Sequence, residues 1–261
     1  MSAAMGSREP RKRARARDRV EPPTTDGASV AGHPAGDGDG SSGEAGIDDV
    51  AVPGYGRRAE LFSGEELRVL EDTRPFRVRD KVMASMERSF VDLRTRLSRH
   101  LEKGSYLAPY GVDYKRGKVG QGEHLDGLPY SFVDLPRYIA AEECFTYRTL
   151  FWWGDGVSFS LILGGRHLGS YRRRLLENLE ILSALGVYVS LAENPWDWQR
   201  GRGLTVPARP GAEEQLLRAF RKQSFLKCSR FLEFSDPEFR ENRIDEAGLY
   251  TFRALEPLVL I

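Results

Sequence analysis

The sequence is poor in the residues that staple, ligate or span. It holds two cysteines, Cys144 and Cys228, far apart in the chain. They match neither a zinc-ligand spacing nor a secreted disulfide framework, so two free thiols in a reducing compartment are expected. Four histidines include no pair at helical spacing, and no metal site is expected. No apolar run approaches the roughly 20 residues that cross a bilayer, and the first residues lack the apolar core of a secretion signal. A cytoplasmic location without a membrane span is therefore the expectation. Charge of one sign is also missing: 39 Lys and Arg against 38 Asp and Glu leave a net charge of +1. No global field then draws the chain to nucleic acid or membrane, and any electrostatic partner must be sought locally.

Residues 1–56 lack Trp and Phe and contain one Tyr, with 10 of the 27 glycines and five prolines. Such a stretch buries too little apolar area to offset chain entropy, so a disordered tail is expected, followed by a single α+β domain over residues 57–261. The tail is charge-segregated, with basic "REPRKRARARDR" ahead of acidic "DGDGSSGEAGIDDV". It reads as a solvated tail or as an arm for nucleic acid.

The domain begins with Ser63 and Glu66 at capping-box spacing, predicting a short helix to about Asp72. Val82, Met86, Phe90, Leu93, Leu97 and Leu101 then recur at three and four, predicting a long amphipathic helix from Pro75 to Lys103. Arg77, Lys81, Arg88, Arg96, Arg99 and Lys103 lie on its outer side among acids, as a solvated face. The following residues, to 138, read as extended chain and then a long loop. "TYRTLFWW" and "VSFSLILG" around Gly154-Asp155-Gly156 predict a β-hairpin over residues 146–164. A helix with Leu168, Tyr171, Leu175, Leu179 and Leu182 on one side runs to Gly186, "VYVSLA" is a strand, and a third helix spans about Gly211 to Lys222. "SDPEFRENR" reads as a turn and helix, and the closing "LYTFRALEPLVLI" as a strand. Because strands and helices do not alternate, the expected fold is a curved, mostly antiparallel sheet with helices packed on one face.

The polar stretch "GQGEHLDGLPYSFVDLPRY", residues 120–138, carries most of the candidate chemistry. Glu123, His124 and Asp126 are candidates for proton transfer, since a carboxylate beside an imidazole sets its tautomer and raises its pKa. Tyr130, Asp134, Arg137 and Arg148 are candidates for binding a ligand, with Arg137 and Arg148 holding an anion and Trp152 or Trp153 forming a stacking wall. Adjacent tryptophans on a strand face opposite ways, so one of this pair belongs to the core. Against these roles stands a bland reading, in which the glycines and prolines shape a loop whose polar groups cap nearby backbone. The arginines of "YRRRLLENL" read mainly as the wet side of a helix. No serine sits in a nucleophile-elbow context, and nothing marks either cysteine as activated.

On Glu123, Gly127, Leu128, Pro129, Tyr130, Asp134, Pro136, Arg137 and Phe151 to Gly154, the chain resembles an uncharacterised bacterial family with a GExxxGLPY, DxPR and FWWG pattern. More distantly, the order hairpin, "RRLLENLEIL" helix, strand resembles YktB-like proteins. That resemblance implies an α+β fold with a curved antiparallel sheet, and neither family brings an activity. Two functions stand from the sequence. One is a small anionic ligand bound or acted on in a cleft between residues 120–138 and 146–164. The other is a non-catalytic nucleic-acid or protein interaction module using the arginine-rich helices and the basic tail. The cofactor, the reaction and the oligomeric state are left open.

Overall fold

The computed structural model describes residues 61–201 and 203–261, and the expected tail lies outside the described residues. Residues Glu60–Ile261 form one compact unit. Helices α1 (Gly64–Glu71) and α2 (Arg74–Leu101) come first, and the Ser63–Glu66 capping box closes reciprocally at the start of α1. An antiparallel run of β1 (Lys118–Leu125), β2 (Leu128–Ile139), β3 (Cys144–Trp152) and β4 (Gly156–Gly164) follows. After α3 (Leu168–Glu177) and α4 (Leu179–Ala184) come β5 (Tyr188–Ser190), β6 (Thr205–Pro207) and α5 (Glu213–Phe220). Strand β7 (Phe225–Leu232), α6 (Pro237–Arg240), α7 (Ile244–Leu255) and a 3-10 turn at Glu256–Leu258 complete the chain. The sheet is open, wholly antiparallel and ordered β1-β2-β3-β4-β7-β5-β6, so β7 inserts between β4 and β5. The expected α+β class with helices on one sheet face is the class observed.

Alternation sorts the strand residues. Phe145, Tyr147 and Phe151 of β3, Phe159 and Leu161 of β4, and Leu226 and Cys228 of β7 meet Phe90, Leu93 and Leu97 of α2 and Phe252 and Leu255 of α7 in the main core. Each such side chain, fully buried, is worth about 1.5–3 kcal/mol of transfer free energy. The opposite face holds a second, smaller apolar cluster of Tyr130, Phe132, Leu150, Ile162 and Trp198. Among the described residues, no helix contributes a side chain to it.

Three sequence expectations are corrected. Residues 120–138 form no loop, but most of the β1–β2 hairpin, turned at Asp126 (φ 49°) and Gly127 (φ 77°). Two successive positive φ values make the two-residue turn whose twist matches its strands, and Asp-Gly is the pair that adopts it. Gly120 and Gly122 belong to the strand because a Cβ there would lie 2.7 and 2.6 Å from the rings of Phe132 and Tyr130, which lie across them. Secondly, the expected helix from 168 to 186 breaks at Asn178, whose Nδ2 donates to the Arg174 carbonyl at 2.8 Å and competes with the helical ladder. Thirdly, "LYTFRALEPLVLI" is no strand. Ile244, Ala247, Gly248, Thr251, Phe252 and Leu255 recur at helical spacing and pack α7 into the core, and strand-like pairing is limited to one bridge from Leu260 to Tyr106.

The β3–β4 hairpin forms as the sequence predicts. At its turn Gly156 has φ 129°, and a Cβ would lie 2.4 Å from the Leu232 carbonyl oxygen. Backbone cannot swing aside as a side-chain tip can. Gly156→Ala is therefore expected to lose about 2 kcal/mol, read from urea unfolding, through combined φ strain and backbone clash. An unchanged midpoint would rule out this turn geometry.

Candidate functional site

The expected proton-transfer residues do not meet in a pocket. Glu123 is exposed and pairs with Arg79 of α2, while His124 is exposed without a described side-chain partner. Asp126, at the turn, accepts from Gln199 Nε2 at 2.9 Å. These three side chains decorate the rim of the β1–β2 hairpin.

The expected ligand-binding residues come together instead, because cross-strand register places Asp134 of β2 opposite Arg148 of β3 on the face that bears the smaller apolar cluster. Arg148 donates to both Asp134 oxygens, Nε to Oδ1 at 2.6 Å and Nη2 to Oδ2 at 2.7 Å. Asp134 is fully buried and Arg148 is 7 % exposed. The guanidinium lies 4.2 Å from the Phe132 ring centroid and 4.8 Å from that of Trp196. Arg148 is thus spent on a bidentate pair and roofed by aromatics. Arg137 is less engaged: it is half-buried, its Nε lies 3.8 Å from Asp134 and makes no hydrogen bond. Tyr130 is buried and faces the same side. Trp152 also faces it, donating Nε1–H to the Leu125 carbonyl at 3.0 Å, whereas Trp153 packs on the helix side. The tryptophan pair is split between the faces, as alternation requires.

The roof is the connection between β5 and β6, which brings Trp196 and Trp198 over the sheet. Under it lies a residue missed in the sequence, Lys227 of β7, 4 % exposed. Its Nζ donates to the Asp197 carbonyl at 2.6 Å and sits 3.6 Å from the centroid of a Trp198 ring. Burial, helped by the Arg148 charge and opposed by Asp197, lowers its pKa from 10.5 to about 7. The available signal was a lysine flanked by "FL" and "CSRFL", since a cation inside an apolar strand must either snorkel or be sheltered. Cys144, half-buried on this face, is no activated thiol: burial and the Asp134 charge push it up to about 12.

A second cluster is cationic and open. Arg94, Thr95, Ser98 and Arg99 near the end of α2 face Lys115 and Arg116 across a cleft of about 440 Å³. The Asp113 carboxylate accepts the backbone N–H groups of Lys115, Arg116 and Gly117 at 2.8 to 2.9 Å, which orders the turn carrying the two basic side chains. Those bonds hold its own pKa below the usual carboxylate range against the effect of burial, which acts upward. Lys115 reaches Glu102 only at 3.9 Å. Among the described residues, the Arg94 and Arg99 guanidiniums make no ion pair or hydrogen bond. By contrast the run in α3 is largely structural: Arg172 donates to the Gln223 carbonyl at 2.6 Å, Arg174 donates to the Leu260 carbonyl, and Arg173 faces Glu177 at 3.8 Å.

Comparison of the chain with protein-family models, with curated proteins and with solved structures gives no match. Among the described residues no helix is long and apolar enough to cross a membrane, and no group of three or more His, Cys, Asp or Glu side chains is placed to hold a metal ion.

Proposed function

We propose that this chain is a nucleic-acid-binding module that grips the phosphate backbone in the cleft between the end of α2 and residues 115–116. The observation that carries this reading is the convergence of four cationic side chains, Arg94, Arg99, Lys115 and Arg116, with two hydroxyl side chains on one open cleft, in a chain whose net charge is only +1. Guanidiniums without carboxylate partners are free to take phosphate oxygens in paired hydrogen bonds, and neutralising each phosphate releases condensed counterions. The basic stretch at residues 8–19 would add a second contact of the same chemistry.

The test is salt-dependent binding of fluorescent RNA and DNA oligonucleotides to the full chain. Affinity should fall steeply with salt. Arg94→Glu with Arg99→Glu should weaken binding at least tenfold at low salt and reduce the log–log salt slope by about two. Arg173→Glu, on the surface of α3, should leave both unchanged. Salt-insensitive binding, or equal losses in the two variants, would refute the cleft assignment.

A second reading keeps the small anionic ligand expected from the sequence, and the Arg137 Nε, which makes no hydrogen bond beside the Asp134–Arg148 pair, favours it. It would place a single small anion at that edge of β2.

A further inference from the structure

Residues 61–78 present large apolar side chains to solvent rather than to the core. Leu61, Leu67, Val69, Leu70, Phe76 and Val78 are 47–85 % exposed, and α1 buries none of its residues against the rest of the described chain. A helix of eight residues is marginal in water on its own, so α1, capped but unpacked, needs cover. The same need is written in α2. Phe76, Met83, Phe90 and Leu97 stand seven residues apart, close to two full turns, and therefore share one stripe. Met83, Phe90 and Leu97 are buried in the core, whereas Phe76, one step earlier, is 67 % exposed. The stripe runs on past the domain that buries it.

Charge narrows what can cover this face. Helix α1 holds Glu65, Glu66 and Glu71 against Arg68, while residues 74–81 of α2 hold Arg74, Arg77, Arg79 and Lys81 against Asp80. Part of this charge is committed: Glu66 to the capping box, Arg74 to Asp72 at 2.8 Å, and Arg79 to Glu123. Glu65, Arg68 and Glu71 on α1, and Arg77 and Lys81 on α2, are exposed and make no ion pair among the described residues. The uncommitted charge thus leaves α1 acidic and the start of α2 basic. Each of the two segments is about 12 Å long at the helical rise. An acidic segment beside a basic one of equal length, both with exposed apolar side chains, is complementary to a rotated copy of itself, which is what an isologous interface requires. A lipid surface or nucleic acid of negative charge would meet Glu65 and Glu71 as well as the cations.

We propose that residues 61–81 form the interface of a two-fold symmetric homodimer, in which α1 of one copy lies on the start of α2 of the other. Leu67 and Leu70, neighbours at a spacing of three on α1, cover Phe76 of the partner subunit, while Glu65 and Glu71 face Arg77 and Lys81 of the partner subunit. The cationic cleft lies outside this contact, since Arg94 is about 20 Å beyond Lys81 along α2. Dimerisation and nucleic-acid binding are therefore separable.

The test is sedimentation velocity of the full chain over a wide range of protein concentration. The expected result is a concentration-dependent shift from 29.4 kDa to twice that mass. Leu67→Asp with Leu70→Asp should raise the dissociation constant at least tenfold and leave the near-ultraviolet circular dichroism unchanged, because neither side chain belongs to the core. A charge swap tests the arrangement. Glu65→Lys with Glu71→Lys, and separately Arg77→Glu with Lys81→Glu, should each weaken self-association at least tenfold, yet an equal mixture of the two should form a heterodimer, in which acid again opposes base. Arg94→Glu with Arg99→Glu should dimerise as the wild type does. A single-chain mass at every concentration would overturn the proposal, whether residues 1–60 or lipid then take the face. A dimer indifferent to Leu67→Asp with Leu70→Asp, or charge variants that stay apart when mixed, would overturn it as well.

Discussion

Arg148→Met is expected to lower folding stability by about 3–5 kcal/mol, measured by urea unfolding at neutral pH. The substitution keeps a long side chain beneath Trp196 and Trp198 but removes both donors to Asp134, a carboxylate with no exposed surface. An uncompensated buried charge, more than the lost attraction, sets that cost. Arg137, 3.8 Å away, softens the loss only if it swings inward. Combining Arg148→Met with Asp134→Leu should recover most of the stability, because nothing charged then remains to be solvated at that position. The contrast between single and double variants is decisive. Equal losses would mean that the pair contributes only packing, and a single-variant loss below about 1 kcal/mol would mean that water reaches Asp134.

The second large effect is a pH dependence. In the unfolded chain Lys227 holds its proton up to about its ordinary value of 10.5, whereas in the folded chain it gives it up at about 7. Between those values the unfolded state binds more protons, so this residue makes stability rise with pH. Below pH 7 the folded state carries a buried ammonium and the full penalty applies. At about 1.4 kcal/mol per pKa unit, that penalty is on the order of a few kcal/mol. Lys227→Met should therefore be more stable than wild type at pH 6, with an advantage that shrinks steadily toward pH 10. There the wild-type amine is neutral and keeps its hydrogen bond to Asp197. Unfolding curves of both proteins across that range provide the check. A constant difference would show that Lys227 keeps its ordinary proton affinity in the folded chain.

Where a feature is written in neighbouring residues, the sequence displayed it. The capping box at Ser63 and Glu66, the α2 stripe and the Gly154–Gly156 turn are of this kind, and each is present. Misreadings arose where a local signal had a long-range cause. Gly120 and Gly122 look like loop residues until Phe132 and Tyr130 are placed across them. Asp126-Gly127 was the overlooked local signal, since that dipeptide between alternating apolar positions marks a hairpin. The carboxyl-terminal segment mixes aromatic and branched residues that suit either period, and packing of Gly248 against Leu93 of α2 resolves it as helix. For the candidate site, Asp134, Arg148, Tyr130 and Trp152 were legible as a group, but their mutual neutralisation was not. It depends on strand register and on a roof that arrives some 50 residues later, so attraction to a ligand and attraction to each other look identical in one dimension. Lys227 was invisible for a related reason: its shelter comes from the β5–β6 connection.

The order of strands also bears on the cost of closing the sheet. Strands β1 to β4 are sequential neighbours joined by short connections, so each can zip onto the last at small entropic cost. Strand β5, by contrast, reaches the rest of the sheet only through β7, which lies far downstream. The β5–β6 hairpin therefore joins the sheet through the contact of longest sequence separation, which carries the largest loop-closure cost. The shelter of the Asp134–Arg148 pair and of the Lys227 amine thus hangs on long-range pairing, whereas the meander beneath them is held by local contacts.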